Sequence, residues 1–99
     1  MSPLAEIIIE IIKNIPEGKV LTYGEVAARA GSPRSARLVS YLLHGCSDKY
    51  DLPWHRVINY QGKISLKGIL GEEQKLLLVR EGVKFENDKI DLVKYMYAG

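Results

Sequence analysis

A chain of 99 residues is long enough for one small domain and not for two, and its 46% hydrophobic content suits a globular fold. No run of about 18 apolar residues is present, so no transmembrane helix is expected, and no charged n-region precedes an apolar h-region, so no signal peptide is expected either. The net charge of +2 is ordinary, but residues 19–67 hold eight basic against three acidic residues, a net of +5, and the remainder six against nine, a net of −3.

A basic middle between acidic ends is what one nucleic-acid-facing surface would produce. Scatter over a solvated surface is the plainer alternative. Cys46 is the only cysteine, which excludes an internal disulfide and points to a reducing compartment. With only His44 and His55 beside it, the usual ligand spacings are missing and no metal or other cofactor is expected. A cytoplasmic location follows, on the nucleoid in a prokaryote or in the nucleus of a eukaryote.

In chain order, Ser2-Pro3 reads as the N-cap and first position of a helix. Leu4, Ile7, Ile8, Ile11, Ile12 and Ile15 follow at helical spacing. Glu6 early and Lys13 late match the helix dipole, and Pro16-Glu17-Gly18 ends the element. Thr22 is the next N-cap, opening a short helix over Tyr23 to Ala30 with Gly31 at its C′ position. Ser32-Pro33 opens another, predicted to stop at Gly45. Two helices around a tight glycine-containing turn are a helix-turn-helix signature. Cys46 to Leu52 reads as a polar loop.

Pro53-Trp54-His55-Arg56-Val57 comes next, the stretch with the most chemistry. Proline fixes its own φ and biases Leu52 towards an extended shape, so Trp54 and His55 stand at the end of a held loop. The tryptophan could equally be a core residue with its N–H satisfied. Val57 to Tyr60 and Lys63 to Ser65, joined by Gln61-Gly62, read as a β-hairpin, the wing of a winged helix-turn-helix. Gly68-Ile69-Leu70-Gly71 reads as a loop, Glu72 to Glu81 as the last helix, and Val83–Phe85 with Ile90–Leu92 as a small terminal hairpin around Asn87-Asp88.

Pro53 to Val57 resembles the Pro-Cys-His-Arg-Val motif of O6-alkylguanine-DNA alkyltransferases, with Trp54 where that family has its acceptor cysteine. Ile15-Pro16-Glu17-Gly18-Lys19-Val20 followed by Thr22-Tyr23-Gly24 resembles the start of the family's DNA-binding half, and Ser32 to Val39 its recognition helix. The resemblance spans roughly residues 4 to 93 and points to the alkyltransferase-like branch, which is not enzymatic. It implies a mostly α fold with a small β-hairpin, a winged helix-turn-helix.

The resemblance also implies roles. DNA contacts would fall at Thr22, Tyr23, Arg34, Ala36, Arg37 and Ser40. Arg37 would insert into the base stack, although a phosphate-contacting or solvated arginine is the plainer reading. Tyr23 would crowd the phosphate beside the target nucleotide, against the alternative of a buried tyrosine with a bonded hydroxyl. The lesion pocket would be built from Tyr23, Trp54, His55, Arg56, Val57, Gly62 and Ser65. His55 and Glu81 match the pair that activates the family's cysteine; with no thiol between them they read as a structural pair, and Arg56 as a loop brace. Cys46 stands where the family has an asparagine.

An indole has no lone pair able to attack an alkyl carbon at neutral pH, so Trp54 cannot accept an alkyl group as a thiolate does. The expectation is therefore a monomer that binds double-stranded DNA containing O6-alkylguanine, flips the base, and directs it to nucleotide excision repair proteins, with no membrane partner. A winged-helix transcription regulator and an active alkyl acceptor using Cys46 are the alternatives. Lesion-selective binding, sequence-selective binding or an alkylated protein would tell the three apart.

Overall fold

The computed structural model describes all of residues 1–99. Helix α1 (Pro3–Lys13) begins where expected: the Ser2 hydroxyl accepts from Ala5 N at 3.1 Å, and Pro3 occupies the first turn, where its missing N–H costs nothing. Its inward face is Ala5, Ile8, Ile9 and Ile12. Strand β1 (Leu21–Thr22) leads into α2 (Tyr23–Arg29), capped by the Thr22 hydroxyl accepting from Glu25 N at 3.0 Å. Gly31, at φ +81°, makes the turn out of α2.

Helix α3 (Ala36–Tyr50) differs from expectation at both ends. Ser32 to Ser35 form a turn closed by paired hydroxyls at 2.6 Å, so the helix starts later. It then runs straight through Gly45 and Cys46 and ends at Asp51, a residue in the left-handed region at φ 51°. Leu42, Cys46 and Tyr50 lie four apart on one face and all pack on the main core. That continuous apolar stripe outweighs the roughly 1 kcal/mol that a glycine costs inside a helix.

The predicted hairpin is not formed. Strand β2 (Val57–Ile58) pairs instead with β1, parallel, with Leu21 opposite Val57 and Thr22 opposite Ile58. Only the Asn59 N–Lys63 O bond at 3.3 Å remains of the expected ladder. The Asn59 side chain caps the intervening turn by accepting from Gln61 N and Lys63 N, and Gly62 bonds to Ile90 rather than to a returning strand. The architecture is mostly helical with this two-stranded sheet. Val20 and Met96 add a further parallel bridge beside β1.

Helix α4 (Gly68–Arg80) absorbs the stretch expected to be a loop. Gly71 is buried there because a side chain would meet the Leu66 carbonyl. Of the expected terminal hairpin only the turn forms: a single Glu86–Lys89 bridge closes around Asn87 and Asp88, both at positive φ, while Val83–Phe85 and Ile90–Leu92 do not pair, Ile90 N donating to Gly62 O and Leu92 opening the last helical turn. A last turn, α5 (Leu92–Tyr95), returns the tail to β1.

Two apolar clusters result. The larger joins α1, α2 and α3 with Leu21, Leu52 and Val57. The smaller collects Val20, Ile58, Leu78, Val83, Ile90 and Tyr95. The two-stranded sheet lies between them, since Leu21 and Val57 belong to the first cluster and Ile58 to the second.

Candidate nucleic-acid interface and pocket

The Trp54 loop is a single 3-10 turn (Trp54–Arg56) held from three directions through its backbone and the Arg56 side chain. Within the loop, Trp54 N donates to Leu52 O at 2.8 Å and Arg56 N to Pro53 O at 3.0 Å. From α4, the buried Gln74 amide donates to His55 O at 3.2 Å and Val57 O at 2.9 Å. From the turn after α1, Ile15 O accepts from the Arg56 guanidinium at 2.9 Å.

Glu81, just after α4, completes the clamp. Its carboxylate accepts from Arg56 Nε and Nη2, the latter at 2.7 Å, from His55 Nε2 at 2.7 Å, and from the Gly18 amide at 3.0 Å. The Glu81 side chain is 9% exposed. Burial pushes its pKa up, but the bonds from Arg56, Gly18 and His55 together outweigh burial and hold the carboxyl at about 2, against an ordinary 4.5. The histidine–glutamate pair expected from sequence is thus one edge of a larger network tying the Trp54 loop to the α1–β1 turn.

Trp54 itself is half-buried, its ring edge-on to His55 with centroids 6.1 Å apart. It faces an open cavity of about 340 Å³. Tyr23 at the start of α2 lines the same cavity, with Ser40, His44 and Asp48, four residues apart on one face of α3, and with Leu66, Leu70 and Glu73 from α4 and the stretch before it.

The predicted site residues fall into three groups. Tyr23, Ser40 and Trp54 meet at the cavity. Arg34, Ala36 and Arg37 lie at or just before the start of α3, and both arginines are exposed without a hydrogen-bond or ion-pair partner. The others are elsewhere. Val57 is fully buried in the larger cluster. Gly62 is packed against the tail, where a Cβ would stand 2.6 Å from Ile90 O. Ser65 is exposed and its neighbour Leu66 lines the cavity instead. His55 and Arg56 are occupied by Glu81 and support the wall rather than forming it. Thr22 is buried with its hydroxyl used as the α2 cap.

Two features were not anticipated. Gln74 carries no sequence signal, being one polar residue in a helix. Asp48 is missed by ending α3 at Gly45, whereas His44 and Glu73 lie inside the expected helices and carry no signal that they meet at the cavity; a longer α3 puts Ser40, His44 and Asp48 on one face. The basic surface is also smaller than the charge count implied. Besides Arg56, Arg29 is engaged internally, by Glu25 at 3.1 Å and the carbonyls of Tyr97 and Gly99.

The family model of the DNA-binding domain of 6-O-methylguanine DNA methyltransferase matches residues 3–83. The chain is 50% identical over 91 residues to the DNA base-flipping protein of Vibrio parahaemolyticus, covering 91% of each. It is 46% identical over 89 residues to the DNA base-flipping protein of Escherichia coli K12, covering 89% of this chain and 69% of that one. Its fold matches the crystal structure of Schizosaccharomyces pombe Atl1 in complex with damaged DNA containing O6-carboxymethylguanine, with a TM-score of 0.86 and 35% identity over all of this chain and 98% of that one.

Proposed function

Because the chain belongs to the family of the 6-O-methylguanine DNA methyltransferase DNA-binding domain, we propose that it is a non-enzymatic reader of O6-alkylguanine in duplex DNA. The observation that carries this reading is the cavity faced by the sole tryptophan, one helical turn along α3 from an unpaired arginine.

The physical steps follow from that arrangement. The O6 edge of guanine lies inside the stacked duplex, so inspecting it means extruding the base at a cost of a few kcal/mol. In this reading α3 docks on the minor groove and Arg37 fills the gap, its planar guanidinium stacking on the flanking bases and bonding the orphaned partner. Arg34 and the lysines of the basic middle neutralise phosphates. Tyr23, at the mouth of the cavity, crowds the backbone of the rotating nucleotide. The base then enters the cavity beside Trp54, where stacking on an aromatic is worth about 1–3 kcal/mol.

No alkyl group is transferred. Trp54 occupies the place of the family's acceptor cysteine, and an indole is no nucleophile at neutral pH. Cys46 packs on the core side of α3 and is absent from the cavity lining, which supports the same conclusion. With no chemistry to complete, the bound lesion is handed to nucleotide excision repair proteins by a monomeric reader.

One titration tests the reading. Duplexes identical except for guanine or O6-methylguanine are bound with Trp54 emission as the signal, and the products are weighed by mass spectrometry. The lesion duplex is expected to bind more tightly, with no mass gained by the protein. Arg37→Ala should weaken lesion binding about tenfold, within the worth of stacking on a base, and Lys89→Ala should not. Equal affinity for the two duplexes would overturn the reading, whether or not binding depends on sequence. A methyl group gained on Cys46 would overturn it in the other direction.

A further inference from the structure

Four of the six tyrosines are built into the fold: Tyr23, Tyr50 and Tyr97 pack on the larger apolar cluster and Tyr95 belongs to the smaller. Tyr60 is exposed on the turn after β2. Tyr41 stands well inside α3, yet 74% of it is exposed. Its ring has no aromatic or cation–π neighbour and its hydroxyl no hydrogen-bond partner within the chain. Leu38 and Leu42 already fill the core side of the helix beside it. A lone exposed aromatic is ordinary on a protein surface, so the weight rests on where this one stands.

Tyr41 follows Arg37 by four residues, so the two lie one turn apart on the outer side of α3. Ser40 is displaced from Tyr41 by about 100° around the helix axis. Ser40 lines the cavity, as does His44, and Tyr41 does not. Passing around α3, Ser40 therefore comes first on the cavity flank, then Arg37, then Tyr41 on the other flank. The surface there suits a polyanion: Arg34 and Arg37 are exposed, and no carboxylate occurs in the chain between Glu25 and Asp48.

We propose that Tyr41 is a DNA-contacting residue that grips the strand opposite the extruded nucleotide. The inference rests on the reading above, in which α3 lies in the minor groove, and adds which strand this side chain holds. A helix in a groove has one strand on each flank. The cavity flank receives the rotating nucleotide, so the Tyr41 flank meets the complementary strand. There the ring lies against deoxyribose faces and sheds the water that covers it in the free protein. Its hydroxyl reaches the acceptors of the groove floor. Holding the complementary strand in place keeps the rest of the duplex from following the nucleotide that turns out.

Tyr41→Ala keeps the fold, because the side chain is mostly in water and alanine is the better helix former. An O6-methylguanine duplex and the same lesion in a single strand are titrated, with Trp54 emission as the signal. The variant should bind the duplex about tenfold more weakly, the scale of one aromatic contact to nucleic acid. Its affinity for the single strand should change by less than about twofold. Tyr41→Phe should return duplex binding to within about threefold of the unaltered protein, the worth of a single hydroxyl bond. A second measurement assigns the strand directly. With p-benzoylphenylalanine in place of Tyr41 and each strand labelled in turn, irradiation of the complex should crosslink the protein to the complementary strand. Equal weakening on duplex and single strand, or a crosslink confined to the lesion strand, would overturn the strand assignment. Unchanged duplex affinity in Tyr41→Ala would overturn the contact itself. Either result, with the lesion duplex still preferred over an undamaged one, leaves the damage reader intact. A protein blind to the lesion that still crosslinks to the complementary strand would overturn the reader and uphold the contact.

Discussion

Helices α1, α2 and α3 cohere around a cluster of twelve buried apolar residues, whereas the half that follows Val57 shares a cluster of only six with Val20. What the second half lacks in apolar volume it supplies with directional bonds: Gln74 to the backbone of the Trp54 loop, Glu81 to three partners, Gly62 to Ile90, and the Tyr95 hydroxyl to Lys84 N. Apolar packing is tolerant of detail and nearly independent of pH. A buried ionic network is neither, because removing one member strands the others. The first half is therefore built robustly, and the second half, whose Gln74 and Glu81 hold the Trp54 loop, is built to fix geometry.

Removing Glu81 should break the comparison most visibly. Glu81→Ala leaves Arg56 and His55 without their carboxylate and Gly18 without its acceptor. A loss of about 3–5 kcal/mol in urea unfolding is expected. A loss below 1 kcal/mol would mean that the second half is held by its apolar cluster after all.

Acid offers a graded version. Glu81 is held at about 2, below its ordinary 4.5. A depressed carboxyl pKa contributes stability that is complete above the unfolded value and is lost as pH falls from about 4.5 towards 2. Up to about 3 kcal/mol should disappear across that window. Glu81→Gln should be less stable at neutral pH and should lack this part of the decline. An identical acid profile in the variant would place the titrating group elsewhere.

Gln74→Leu keeps the volume and removes the two donors to His55 O and Val57 O. About 1–3 kcal/mol should be lost, and Trp54 emission should shift as its loop loosens. Ile12→Val probes the other half. One methyl group removed from a fully buried site should cost about 0.5–1.5 kcal/mol, while affinity for lesion DNA stays as it was. A weaker grip on the lesion in this variant would show that the two halves are not separable.

The same division governed what could be read in advance. Helix α1 was legible in full, because its cap, its first-turn proline and its isoleucine spacing are all local. The α2 cap at Thr22 and the turn at Gly31 were legible for the same reason. Gly45 misled because its propensity is local while the packing of Cys46 and Tyr50 on the core is not. Gly71 misled similarly: a buried helical glycine required by the Leu66 carbonyl reads like a loop, and Gly68, exposed at φ +67° in the first turn, adds to that signal. The partner of Val57-Ile58 was invisible, since nothing near it in sequence announces Leu21-Thr22. At the site, Trp54, Tyr23 and Ser40 were anticipated from motif resemblance and the structure gathers them at one cavity. Val57, Gly62 and Ser65 were carried along by position in the motif alone, and the structure places them elsewhere.

The parallel pairing of Leu21 with Val57, and of Val20 with Met96, also bears on time. Each pairing closes a long loop of chain, and that entropy is lost before the contact can repay it. The contacts among α1, α2 and α3 join stretches much nearer in sequence, the kind that form early in refolding. The order of assembly therefore runs from the α1–α3 core to the sheet and the Trp54 loop, with the tail arriving last to lie beside β1. The only tryptophan lies on the late side of that order. Helix signal in the far ultraviolet would return first on refolding, and the indole would report separately when the pocket closes.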